Sequence, residues 1–125
     1  MDLNGRCMFV SGTAASGVVD AATRLWFIQK GERLVARYAG GNVERGCLAG
    51  WITGTQLSFR YLQREHTGEL HGGRSKCDVM TLADGRIRIL EHFRWTTRTG
   101  SGTNVFDEVP VGGLPERPNN RWRGP

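Results

Sequence analysis

Proline is missing from most of this chain. All four prolines (Pro110, Pro115, Pro118 and Pro125) fall in the last sixteen residues. A proline-free body suits uninterrupted β-ladders, where every residue must offer its N–H. Lysine is nearly missing too: Lys30 and Lys76 are the only two among 17 cations. Cysteine is sparse, and Cys7, Cys47 and Cys77 show no C-x-x-C spacing, which argues against a disulfide framework or a zinc ribbon. No apolar run approaches the roughly 18 residues that a membrane-crossing helix needs. Residues 1–6 lack the basic-then-apolar layout of a secretory leader. The expectation is a soluble, reduced, cytoplasmic protein with no membrane partner.

Glycine is plentiful: 18 of 125 residues, with no G-X-Y period, so collagen is excluded. That is about twice ordinary usage and argues against a helical bundle, where each interior glycine costs roughly 1 kcal/mol. The length allows one domain and excludes an enzyme with separate cofactor and substrate domains. The net charge is +5, and three of its arginines (Arg117, Arg121, Arg123) sit in the last nine residues. Residues 1–109 are therefore expected to form the domain, with 110–125 as a flexible Pro/Gly/Arg-rich tail.

Short β-type runs recur at hairpin spacing. Gly31-Glu32 separates 23–30 from 33–40, with glycine first, as a type II′ turn prefers. Gly40-Gly41-Asn42, Gly54-Thr55, Thr67-Gly68, Asp84-Gly85 and Gly100-Ser101-Gly102 punctuate the runs that follow. Together with 6–11 they predict strands over 43–53, 56–66, 69–80, 86–97 and 103–109. Only residues 12–22 could hold a helical turn. Eight strands joined by short links predict an all-β fold: a single closed antiparallel up-and-down β-barrel of about eight strands, since closure removes exposed edges.

Alternation assigns the faces. Leu57, Phe59, Tyr61, Gln63 and Glu65 share one side; Ile87, Ile89, Glu91, Phe93 and Trp95 share another. The arginine-rich opposite faces go to solvent. Phe27, Gln29 and Tyr38 join the inner set by the same rule. That interior is amphipathic, which favours a ligand cavity over a filled Val/Ile/Leu core.

Glu91 stands out between Ile89 and Phe93. A buried carboxylate must be paired, hydrogen-bonded or raised in pKa. Glu91 is either a structural partner of an inward Arg, Tyr or Gln, or an acid facing a ligand. Glu65 is either a solvated strand end beside Arg64 or a second carboxylate at the same cavity, where unlike settings split acid from base. Glu91, Glu65 and Tyr61 are the candidate catalytic residues. Phe27, Gln29, Tyr38, Phe59, Gln63, Phe93 and Trp95 are the candidate ligand-binding residues. His66 and His71 straddle a turn without a third ligand, so no metal is expected, and no cofactor. Scattered arginines without interleaved exposed aromatics argue against nucleic acid as a partner. The partner expected is a small, partly apolar molecule, with the chain a monomer or homodimer. Three functions follow: a cofactor-free cyclase or isomerase using proton transfer, a carrier barrel, or an Arg-rich interaction module.

The ordered motifs carry a resemblance. Gln29-Lys30-Gly31, Tyr38-Ala39-Gly40-Gly41, Gly46-x-Leu48-x-Gly50, Arg60-Tyr61-x-Gln63, Gly68-Glu69-Leu70-x-x-Gly73, Asp84-Gly85-Arg86-Ile87-Arg88 and Glu91-x-x-x-Trp95-Thr96 follow one another over about residues 5–109. This order resembles a family of small bacterial proteins that often carry the name N-acetylglutamate synthase. The resemblance implies a calycin-like barrel, shaped like lipocalins and avidin. Within that resemblance the synthase name reads as a transferred one, and since the chain lacks an acetyl-CoA loop opening a helix, acetyl transfer is not expected. Four positions depart from the family's pattern: Glu65 replaces an Asn, Arg98-Thr99 a Gly-Asp, and Phe93 a Trp. These changes put a shared ligand in doubt and imply an altered cavity mouth.

Overall fold

In the computed structural model the described residues are 1–110, so the expected tail falls almost wholly outside them. Eight strands follow in order: β1 (Cys7–Gly12), β2 (Arg24–Lys30), β3 (Arg33–Gly40), β4 (Val43–Thr53), β5 (Gln56–Glu65), β6 (Leu70–Thr81), β7 (Ile87–Trp95) and β8 (Ser101–Glu108). Each pairs antiparallel with the next, and β8 returns to β1 to close the barrel. The strand ends differ from the sequence reading by only a few residues. The turns account for that agreement. Gly31 and Gly54 have φ of 61°, while Glu32 and Thr55 keep negative φ, which is the type II′ pattern that matches strand twist.

Residues 13–23 form no helix. They make a loop from β1 to β2, and the Asp20 carboxylate organises its end. One carboxylate oxygen accepts from Ala22 N at 2.8 Å and the other from Asn42 N at 3.1 Å. Short polar side chains that bond nearby backbone favour turns over helix here.

The two barrel ends differ. One carries the two-residue turns 31–32 and 54–55, the 82–85 turn and the N-terminal residues; there Leu3, Met8, Leu34, Leu57 and Ile87 fill the interior. Arg6–Glu108 at 2.9 Å and Arg88–Asp107 at 2.7 Å brace the closing strand nearby. The other end carries the 13–23 loop and the links after β3, β5 and β7. On the outer wall, Arg60, Arg74 and Arg94 stand side by side in register. Among the described residues, no helix is long and apolar enough to cross a membrane.

Candidate functional site

The loop-bearing end holds the aromatic residues, and glycines make room for them. Tyr38 lies across from Gly46, Phe59 from Gly50, Tyr61 from Gly73 and Phe93 from Gly102. A Cβ at Gly46 would overlap the Tyr38 ring, and one at Gly73 would overlap Tyr61. The glycine motifs of β4 and β6 are thus the space in which the rings lie. Tyr61 meets Trp95 edge to face at 5.4 Å, and Phe93 meets Trp95 at 6.0 Å. Both separations suit favourable edge-on ring pairs.

Glu91 points into this aromatic space and is 5% exposed. Ser75 Oγ donates to its Oε2 at 2.6 Å, and Asn104 Nδ2 donates to its Oε1 at 2.8 Å. The strand register supplies both. Asn104 is directly across on β8, and Ser75 is diagonal on β6, next to Cys77. Neither the inward Arg nor the Tyr or Gln expected as a structural partner fills that role. Burial raises the Glu91 pKa, against the pull of the two donors. Burial and then the Glu91 charge push Tyr38, Tyr61 and Cys77 upward as well. The Tyr61 hydroxyl is buried and has no hydrogen-bond partner.

Glu65 is not the solvated strand end that its neighbour Arg64 suggests. It is 7% exposed, and Arg98 Nη2 donates to both of its oxygens at 2.8 Å. Gln63 Nε2 donates to Glu65 Oε2 at 3.0 Å, and Tyr38 donates to Gln63 Oε1 at 2.9 Å. Arg98 also lies 4.6 Å over the Trp95 ring. The departures Glu65 and Arg98 are therefore partners of each other. Glu65, Glu69 and His71 bring ligand atoms within 4.8 Å of one another. Arg98 already serves both Glu65 oxygens, which leaves that group poorly suited to a metal ion.

The 13–23 loop covers this end. Val18 and Val19 face the interior, alongside Tyr38, Tyr61, Trp95 and Phe106. Trp95 Nε1 donates to Ser16 O at 2.9 Å, and Thr13 Oγ1 donates to Asn104 Oδ1 at 2.8 Å. Asn104 thus ties the loop to Glu91. The cavity, lined in part by Gly17, Val18 and Val19, is about 30 Å3, room for about two water molecules.

Of the residues singled out from sequence, Tyr38, Phe59, Tyr61, Gln63, Glu91, Phe93 and Trp95 line this cavity, and Glu65 joins it through Gln63. Phe27 packs deeper, in the aliphatic core. Gln29 is at the opposite end, bonded to Leu3 N, Met1 O and Gly31 O. Its alternation is as predicted; its height along the barrel separates it from the site. Ser75, Asn104, Val18 and Val19 were missed, and Arg98 was marked only as a departure at the mouth. Ser75 shares the inward parity of Cys77 and could have been found that way.

A family model described as avidin-like protein matches residues 1–109. No curated protein and no solved structure matches the chain. The match spans nearly the whole chain, and with the closed eight-strand antiparallel barrel it places this chain in the avidin-like protein family, a calycin-type fold suited to holding small molecules.

Proposed function

We propose that the barrel binds a small, partly apolar molecule at its loop-bearing end, and that Glu91 exchanges a proton with it in a cofactor-free cyclisation or isomerisation. The observation that carries this is Glu91 itself: a carboxyl group buried among aromatic rings, held by two neutral donors, with its pKa raised by burial. A carboxyl group whose pKa is raised by burial suits general acid–base work. Tyr38, Phe59, Phe93 and Trp95 form walls that shape and shield the substrate. The Tyr61 hydroxyl is the spare polar contact, and Gln63 with Glu65 and Arg98 fixes Tyr38. Glu65 and Arg98, paired with each other at the mouth, would tune which molecule enters.

Native mass spectrometry on protein purified from its own cells tests the binding step. A small-molecule adduct is expected on the wild type and not on Leu48→Trp, which fills the cavity. An adduct retained by Leu48→Trp contradicts an interior site. With the adduct identified, Glu91→Gln is expected not to convert it, even at concentrations of the molecule that saturate the variant. Absence of conversion by the wild type as well would favour a carrier.

A further inference from the structure

We infer that the molecule held in the barrel presents a positively charged nitrogen to Glu91. This rests on the interior-binding reading above and names the class of ligand that the site takes. Glu91 is buried with two neutral partners, Ser75 and Asn104. Each carboxylate oxygen keeps accepting capacity beyond its single bond. A cation supplies what the neighbours do not, through a charge-assisted hydrogen bond roughly twice as strong as a neutral one. An anion would be repelled, and a neutral ligand would leave the carboxylate without a counter-charge.

The walls make the same selection. Tyr38, Phe59, Tyr61, Phe93 and Trp95 surround the cavity, and the faces of such rings attract cations. Trp95 already holds one, the Arg98 guanidinium at 4.6 Å. The unpartnered Tyr61 hydroxyl offers a further acceptor for an ammonium hydrogen.

Other charged and titratable groups do not supply the missing charge. Tyr38 from β3, Tyr61 from β5 and Cys77 from β6 are each pushed upward by burial and stay neutral. His92, next in the chain, is on the outer face near Asp78. Glu65 is engaged with Arg98. Cation binding lowers the Glu91 pKa again, so any proton held there by the free protein leaves on binding.

Calorimetry with benzylamine and its neutral isostere benzyl alcohol tests this on the full-length chain. Benzylamine, protonated between about pH 5 and about pH 8, is expected to bind at least about tenfold more tightly. Glu91→Gln is expected to erase that preference and keep benzyl alcohol binding. Equal binding of the two probes by the wild type overturns the cationic ligand and leaves the interior site standing. A preference that survives Glu91→Gln also overturns it. Binding of neither probe removes the interior site and this inference together.

Discussion

Ser75 and Asn104 give Glu91 two hydrogen bonds but no counter-charge, so the carboxylate bears a desolvation cost that a glutamine would not. In Glu91→Gln the amide oxygen still accepts from Asn104, and the amide nitrogen donates to Ser75 Oγ. The folded-state pKa of Glu91 lies above its unfolded value. The folded protein therefore binds more protons than the unfolded chain between those two pKa values, and stability falls as pH rises through that window. Thermal melts are expected to show Glu91→Gln at least as stable as the wild type at about pH 8, with the difference fading towards about pH 4. A variant that melts well below the wild type at both pH values would show that the carboxylate holds the fold together. Glu91 was legible in the sequence because a carboxylate on an apolar strand face breaks alternation. Asn104 was not, because its role depends on which residue of β8 stands opposite Glu91.

Strand pairing explains both the glycine motifs and the mouth. Gly46 leaves the space that the Tyr38 ring fills, so Gly46→Ala is expected to cost about 1–3 kcal/mol in urea denaturation, as overpacking does. A cost near zero would mean that Tyr38 swings aside freely. At the mouth, Arg98→Ala leaves the 7% exposed Glu65 without its cation. The expected loss is about 1–3 kcal/mol, below that of a fully buried pair because Arg98 is partly exposed. Adding Glu65→Gln is expected to restore about half of it, and additive losses in the double-mutant cycle would show the two residues to be uncoupled. Strands and turns could be read from period-two alternation and glycine placement, which are local. The Glu65–Arg98 pair could not, because it joins residues 33 apart across the ends of two strands that are not neighbours in the sheet. The 13–23 loop was obscure for a similar reason: its contacts with Ser101, Asn104 and Trp95 come only from closure of the barrel.

At the scale of the molecule, the outer wall competes with the interior as a place for a ligand. The outer wall carries a groove of about 900 Å3 lined by Trp51, Arg60, Arg74 and Arg94, far roomier than the interior cavity of about 30 Å3. Size favours the outside, and chemistry favours the inside, where a buried carboxyl group, an unpartnered tyrosine hydroxyl and aromatic walls converge beneath the 13–23 loop. The arginines read from sequence as solvated skin are on that outer wall, and the residues that distinguish the protein are within. The most direct test is the indole N–H region of a heteronuclear NMR spectrum during titration with benzylamine. The account predicts that Trp95 Nε1–H, bonded to Ser16 of the loop, shifts progressively and saturates while the Trp51 signal stays in place. A saturating shift at Trp51 with Trp95 unmoved would contradict it.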